Sequence, residues 1–209
     1  MRAVRARDTA DRSGQTNRVN ASRTLAFNKP YGVLSCFTDP QGRPTLAGFI
    51  PIPDVYAAGR LDFDSEGLLL LTSDGQLAHR IMDPRQKLPK VYWVQVERIP
   101  EAEALHQLKK GVLLSGRRTR PAKASLLVDP PQLPPRPVPI RYRKSVPTAW
   151  ISVTVVEGLN RQIRRMTAAV GHPALRLVRV GIGPIMLGDL QPGEWRELSD
   201  AEVDSLRRV

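Results

Sequence analysis

The predicted elements of this chain mix strands and helices without regular βαβ alternation, and this order indicates an α+β fold. The chain has 209 residues, of which 41% are hydrophobic and 25% are charged. This composition is typical of a globular protein and excludes a fully disordered one. The sequence contains no internal repeats.

Four segments have the apolar patterns of strands. They cover residues 24–29, 68–72, 91–97 and 149–157. The run at 68–72 (LLLLT) is continuously apolar, which suits a fully buried strand. In the next strand, alternation places Tyr92, Val94 and Val96 on one face and the intervening side chains on the other.

Three segments have the residues that typically start and end helices. Asp74 can cap a short helix, and Pro100 and Gly111 mark the start and end of a second one. In the third, Asn160 is the expected N-cap of a helix over 161–170.

The composition of two further segments indicates that they lie outside the hydrophobic core. Residues 1–23 carry six arginines against two aspartates and predict a basic, disordered arm. Residues 130–139 contain six prolines and predict an extended, polyproline-like loop. The predicted domain therefore spans 24–200, and residues 201–209 are expected to form a C-terminal tail.

The balance of charge points to a polyanionic partner. The chain has 32 Lys and Arg against 20 Asp and Glu, a net charge of +12. Nucleic acid is the first candidate, because its phosphates attract such surfaces. The alternative is a solubilising surface with excess arginine. Aromatic residues make up only 5% of the chain, which argues against a surface that stacks many successive bases.

Other classes of protein are excluded by what the sequence lacks. Cys36 is its single cysteine and its three histidines are not in metal-ligand spacing, so we expect no disulfide framework and no metal. No apolar run approaches the roughly 18 residues of a membrane span. The arginine-rich N-terminus has no apolar stretch, so a secretory signal is not expected and the predicted location is the cytoplasm.

Acidic residues cluster just before the buried strand at 68–72. Asp62, Asp64 and Glu66 alternate in the stretch GRLDFDSEG. A calcium loop would need a glutamate at position 73, where the chain has serine. Two hypotheses remain, a solvated acidic turn and a catalytic carboxylate at the mouth of a pocket.

The predicted third helix carries a cluster of arginines. Arg161, Arg164 and Arg165 have the spacing that lets guanidinium groups converge on one helix face. Such a face is most often a solvated or phosphate-contacting surface. The sharper hypothesis is a guanidinium that reaches into a site and pairs with a carboxylate.

Taken together, these stretches resemble the pseudouridine synthases. NKPYGVL (28–34), GRLDFDSEGLLLLTSDG (59–75), KVYWVQV (90–96) and GLNRQIRRM (158–166) occur in the order found in that family. The chain is most similar to its ribosomal small-subunit (RsuA-like) branch. Within the branch, RKSVPTAW, the proline-rich insert and GEWREL resemble members that act on the large ribosomal subunit.

The resemblance implies a fold, a reaction and a partner. The fold is a mixed, largely antiparallel sheet with flanking helices and a central active-site cleft. The reaction converts a uridine of ribosomal RNA, by this resemblance 23S, to pseudouridine and needs neither cofactor nor metal. We expect a monomer. Most of the branch has an S4-type RNA-binding domain before the catalytic domain, and here we expect only the arm at 1–23.

The resemblance also assigns roles to residues. It makes Asp62 the catalytic nucleophile or base, Arg164 the cation that orients it, and Tyr92 the ring that stacks on uracil. Arg60 would fill the space left by the flipped base, and Ile163 would pack beneath Tyr92. The remaining residues assigned to substrate binding are Leu61, Arg161, Arg165 and Lys29. Lys29 is expected either to hold the backbone near the site or to contact RNA.

Two alternatives to this function stay open. The chain could be a non-catalytic RNA-binding factor for ribosome assembly, or it could perform the same chemistry on 16S rRNA. Asp62, Tyr92 and Arg164 are all present, and a protein that only binds RNA would have no use for an acid that faces a polyanion.

Overall fold

A computed structural model describes residues 22–140 and 145–208 of the protein. The strands are β1 (Thr24–Lys29), β2 (Tyr56–Ala57), β3 (Glu66–Thr72), β4 (Lys90–Glu97), β5 (Leu113–Leu114), β6 (Arg117–Arg118), β7 (Lys123–Leu126), β8 (Thr148–Val155), β9 (Ala174–Ile182), β10 (Ile185–Met186) and β11 (Trp195–Glu197). The α-helices are α1 (Gly75–Met82), α2 (Ala102–Lys110), α3 (Gln162–Ala169) and α4 (Asp200–Arg208). None of these helices in the described residues is long and apolar enough to cross a bilayer.

One mixed sheet organises the chain. Its order is β11-β1-β3-β9-β4-β8-β7, with β10 added to β9 and β2 added to β3. Among the described strand pairs only β3 and β9 run parallel, and the others are antiparallel. The predicted α+β class, with a largely antiparallel mixed sheet and flanking helices, is confirmed.

The alternation of β4 divides the core between the two faces of the sheet. Tyr92, Val94 and Val96 are buried and pack with apolar residues of α2 and α3. Trp93, on the other face, packs against the cluster that contains α1 and α4. The face that carries Tyr92 is therefore the face covered by the arginine-bearing helix.

On one side of β3 the sheet splits, because two different strands pair with the two ends of β3. This split positions residues 58–65. β9 pairs only with the first two residues of β3, whereas β2 pairs with its last two. Gly67 lies at the split with φ +102°, and a Cβ there would be 2.3 Å from the carbonyl oxygen of Arg179. Glycine is required because both the backbone conformation and the close approach exclude a side chain. Residues 58–65 leave the sheet at this point.

The helix at the third predicted segment begins later than expected. Its N-cap position is Arg161, which has left-handed backbone angles (φ 46°, ψ 35°) and makes no capping hydrogen bond. Asn160 is therefore not the N-cap. The buried Gln162 ties down this end instead, because its side chain donates to Glu157 (2.7 Å) and accepts from Leu159 N (3.0 Å).

Residues just outside both ends of the predicted domain contact the rest of the fold. Arg23, assigned to the arm, is ordered and forms an ion pair with Glu197 (2.9 Å). At the other end, residues assigned to a tail form α4, whose Leu206 is buried in the core. The amphipathic spacing of α4 buries one apolar side chain in a highly charged helix, which is a weak signal in sequence. Residues 1–21 of the predicted arm lie outside the described residues.

Candidate active site

The Asp62 loop (residues 58–65) connects β2 to β3 at the split in the sheet. A backbone hydrogen bond from Ser65 N to Asp62 O (3.0 Å) closes a turn within it. The Asp62 side chain is one-third exposed (33%). The turn presents the carboxylate at the surface of a loop whose ends are fixed by the sheet.

A second segment (residues 30–35, the bracing segment) holds the Asp62 loop from the side. Gly32 N donates to Phe63 O (2.9 Å). The Ser35 hydroxyl donates to Leu61 O (2.8 Å) and accepts from Leu61 N (3.0 Å). The backbone groups of the residues on both sides of Asp62 are therefore held by hydrogen bonds. The predicted site did not include Ser35, although the serine directly follows the NKPYGVL motif.

Lys29 in turn holds the bracing segment. Its side chain is fully buried, and Nζ donates to Val33 O (2.7 Å) and Pro30 O (2.8 Å). Burial lowers the pKa of Lys29 to about 8, against the opposing charges of nearby carboxylates. Of its two expected roles, this geometry matches holding the backbone. An RNA contact by this buried ammonium does not fit the structure.

The lowered pKa of Lys29 gives a prediction about stability. Between pH 8 and 10.5 the folded protein binds fewer protons here than the unfolded chain, so raising the pH through this window favours folding. We expect the free energy of unfolding of wild type to rise relative to that of Lys29→Gln, by at most about 3 kcal/mol. Urea titrations at pH 7.5, 9 and 10.5 measure this difference. A constant difference across the three pH values would mean that Lys29 does not titrate in this range.

Two arginines at the start of α3 converge on Asp64, namely its N-cap residue Arg161 and Arg164. Arg161 donates to both carboxylate oxygens of Asp64 (2.9 and 2.8 Å). The Nε of Arg164 lies 3.4 Å from the same carboxylate, and its Nη2 donates to Asp64 O (2.5 Å). Burial opposes ionisation of Asp64, but these guanidinium groups outweigh it and hold the pKa of Asp64 below its usual value.

The expected direct ion pair between Asp62 and Arg164 is not formed. Among the described residues, the ion-pair partner of Asp62 is Arg161, at 3.7 Å. The reason is competition, because Asp64 lies two residues away and receives the arginines with shorter contacts. Asp64 therefore anchors Arg161 and Arg164 beside the loop and leaves the Asp62 carboxylate with one long contact.

The Nε of Arg164 is buried and has no hydrogen-bond partner in the part of the chain that the structure describes. Burial lowers the pKa of Arg164, although the charges of Asp64 and Asp62 oppose this shift. A buried N–H donor that makes no hydrogen bond, although it lies 3.4 Å from the Asp64 carboxylate, is costly, and such costs are concentrated at functional sites.

Three apolar residues that the resemblance assigns to the site lie in the same part of the core. Leu61, Tyr92 and Ile163 are at most 9% exposed and belong to one hydrophobic cluster. Arg60 is exposed beside them. Arg165 does not join the convergence, because its Nη2 donates to Ser115 Oγ (2.6 Å) on a different loop.

Arg179 is a buried arginine at this site that the sequence analysis missed. Its Nε donates to Leu68 O (2.7 Å) and its Nη1 to Arg60 O (3.4 Å). The first carbonyl group lies in β3 and the second in the Asp62 loop, so one guanidinium on β9 connects the loop with the strand that follows it. The signal in the sequence is that Arg179 lies between two valines in the apolar strand RLVRVGI, where a charged side chain needs buried partners.

The site contains no obvious place for a metal. Within residues 22–140 and 145–208, no group of three or more His, Cys, Asp or Glu side chains is arranged to hold an ion. What the arrangement offers is an accessible carboxylate, two guanidinium groups, a buried aromatic ring and an exposed arginine.

Comparison with known proteins gives matches to RNA pseudouridine synthases. Residues 23–169 match the family model described as RNA pseudouridylate synthase. A Xanthomonas campestris protein named ribosomal large subunit pseudouridine synthase E is 61% identical over 187 residues, which are 88% of this chain and 97% of the relative. The Vibrio parahaemolyticus protein of that name is 53% identical over 176 residues, 84% of this chain and 74% of the relative. A crystal structure of a pseudouridylate synthase matches with TM-score 0.75 and 32% identity, covering 88% of this chain and 74% of that one.

Proposed function

Because this chain belongs to the RNA pseudouridylate synthase family, we propose that it isomerises a uridine of 23S ribosomal RNA with Asp62 as catalytic nucleophile or base. The relatives named for the large ribosomal subunit support 23S ribosomal RNA as the substrate. The observation that carries the residue assignment is the accessible carboxylate of Asp62, in a loop fixed on both sides, next to two arginines anchored by Asp64.

The reaction balances without a co-reactant. The bond between N1 of uracil and C1′ of ribose breaks, the ring turns, and a bond forms between C5 and C1′. A proton leaves C5 and N1 gains one, so nothing is oxidised. The step needs a carboxylate that can attack or accept a proton, and Asp62 is the carboxylate left free to do so.

Arg164 supplies the cation that the enclosed carboxylate needs. When the target base fills the cleft, Asp62 loses water, which costs several kcal/mol unless a fixed charge replaces it. The Nε of Arg164 lies 3.4 Å from Asp64 and makes no hydrogen bond among the described residues, and it is the donor that we assign to Asp62 at this point. Arginine suits this task because it stays protonated in a buried site and has several donors in a fixed plane.

Tyr92 and its neighbours form the platform for the base. The target uridine must leave its stack, at a cost of a few kcal/mol. The Tyr92 ring, packed in one cluster with Ile163 and Leu61, offers a flat surface that recovers part of this cost by stacking. To Arg60, which is exposed near the start of the loop, we assign the role of filling the vacated space in the RNA.

The hydroxyl of Tyr92 can be separated from its ring by mutation. We expect Tyr92→Phe to keep RNA affinity within about threefold but to slow single turnover, because the stacking surface remains and the hydroxyl that would help to move the C5 proton is lost. Tyr92→Ala removes both and loses affinity and rate. Rapid-quench measurements on a 23S fragment test this, and full single-turnover rate in Tyr92→Phe would exclude a role for the hydroxyl.

The net charge of +12 supports RNA as the partner. We place the reaction in the cytoplasm, carried out by a monomer without metal or cofactor. The experiment that tests the function maps pseudouridines in all rRNAs of a strain that lacks the protein, complemented with wild type or Asp62→Asn.

Each outcome of this mapping has a distinct meaning. Loss of one 23S pseudouridine, restored by wild type and not by Asp62→Asn, is the expected result. Loss of a 16S site instead would assign the same chemistry to the small subunit. If no pseudouridine is lost while ribosome assembly is impaired, the protein is a binding factor and the proposal is wrong.

A further inference from the structure

The proline-rich segment (residues 130–139) is fixed to the sheet rather than free in solvent. It contains neither helix nor strand, yet Leu133 packs against the core on the face that carries Trp93. The Nη2 of Arg176 donates to Pro134 O (2.9 Å). Prolines limit the conformations of such a segment before it binds anything, so little entropy is lost when it is used for binding.

The anchor of this segment is continuous with the Asp62 loop. Arg176 also pairs with both carboxylate oxygens of Glu66 (2.7 and 3.1 Å), and both side chains are about one-tenth exposed. Glu66 begins β3, directly after the loop. One buried guanidinium therefore connects the proline-rich segment with the end of the loop that carries Asp62.

The far end of the segment reaches the mouth of the site. The guanidinium of Arg136 lies over the ring of Tyr31, 4.2 Å from its centroid. Tyr31 belongs to the bracing segment and is close enough to Arg164 to influence its pKa. Arg136 donates through Nε to Val138 O (2.6 Å), and no carboxylate in the described residues pairs with it. The guanidinium is thus supported by a ring, and its Nη donors face no carboxylate partner within residues 22–140 and 145–208.

We infer that the proline-rich segment is an RNA-recognition arm, in which Arg136, stacked on Tyr31, binds a phosphate of the rRNA strand next to the target uridine. This inference rests on the proposed function and adds a specificity element to it. Phosphate is the chemistry that fits, because a preorganised guanidinium without a carboxylate partner presents several donors to an anion. RNA is the source that fits, because its backbone must pass the mouth of the cleft when the uridine enters.

The inference predicts an effect on binding and not on chemistry. Arg136→Met keeps most of the apolar stem but removes the charge, so we expect KM for a full-length 23S transcript to rise roughly three- to tenfold with kcat unchanged. The slope of log affinity against log salt should fall by roughly 0.7 to 0.9, the value for one phosphate contact. Arg136→Lys should recover part of the affinity, and Tyr31→Leu should raise KM because Arg136 loses its support.

Arg23→Met is the matched control. It removes the same charge from an arginine at the opposite end of β1 from the bracing segment, where Arg23 pairs with Glu197. We expect its KM and salt slope to stay within twofold of wild type. Melting curves and equilibrium binding by fluorescence anisotropy accompany the kinetics, so that a variant of low stability is still measured for affinity below its Tm.

The outcomes separate this inference from the proposed function. If wild type forms pseudouridine in the transcript but Arg136→Met matches Arg23→Met in KM and salt slope, the proline-rich segment does not bind RNA and the proposed function stands. A fall of kcat without a rise in KM would also overturn the inference. If wild type forms no product on this transcript, the proposed function fails, whatever the affinities are.

Discussion

Asp62→Asn is expected to bind RNA as wild type does and to form pseudouridine at least roughly a thousandfold more slowly. Asparagine keeps the shape of the side chain but can neither attack C1′ nor accept a proton. Stability should change little, because in the described part of the chain the ion-pair contact of the Asp62 carboxylate is a long one, 3.7 Å to Arg161. Single-turnover product formation on 23S fragments, anisotropy and melting curves measure the three quantities.

Asp64→Asn is the matched control for this prediction. It changes the same chemical group two residues away, but Asp64 is the anchor of Arg161 and Arg164. We expect the free energy of unfolding to fall by about 1–2 kcal/mol and turnover to fall less than in Asp62→Asn. If Asp64→Asn were inactive and Asp62→Asn active, the two carboxylates would have the reverse roles.

Arg164→Met is expected to reduce both stability and turnover. The Arg164 side chain is largely buried (13% exposed) and donates to backbone carbonyl groups of Asp64 and Ala174. Its loss leaves these acceptors and the Asp64 carboxylate short of a donor, which we expect to cost about 3 kcal/mol. Turnover should fall at least tenfold, because Asp62 loses the charge that replaces water.

A double-mutant cycle identifies the partner of Arg164 in the unbound protein. In Asp64→Asn/Arg164→Met we expect a coupling of about 1 kcal/mol in the free energy of unfolding, because the two side chains are in contact. In Asp62→Asn/Arg164→Met the losses should add within about 0.5 kcal/mol. Denaturant titrations of these variants check this, and coupling to Asp62 alone would contradict the geometry described above.

The parts of the fold that were predicted correctly are governed by local rules. The alternation of β4 predicted the buried face of Tyr92, Val94 and Val96, which is confirmed. Asp74 was predicted as an N-cap and accepts from Gln76 N and Leu77 N. Periodicity and capping depend on neighbours within four residues, so the sequence alone contains the information.

The start of α3 could not be predicted in this way. Local preference selects Asn160 as the cap, but Arg161 occupies that position in a left-handed conformation. Its guanidinium meets Asp64, 97 residues earlier in the chain. This bidentate contact between residues far apart in the chain stabilises the left-handed conformation of Arg161. A sequence window that covers only the neighbours of Arg161 does not contain it.

The choice between Asp62 and Asp64 illustrates the same limit at the site. The two residues stand two positions apart in an alternating acidic stretch, and family resemblance assigns the chemistry to Asp62. Which of them holds the arginines depends on how Gly32 and Ser35 fix the loop. Arg179 was missed for a related reason, because its partners are backbone carbonyl groups that no motif marks.

Release of tritium from C5-labelled uridine in a 23S transcript tests the central claim most directly. The label leaves C5 only if the ring is detached and rejoined through that carbon. Under single-turnover conditions, wild type should release a stoichiometric burst, Asp64→Asn a slower burst, and Asp62→Asn no tritium above a control without enzyme. Release by Asp62→Asn at the rate of Asp64→Asn would contradict the assignment of Asp62 as the catalytic carboxylate.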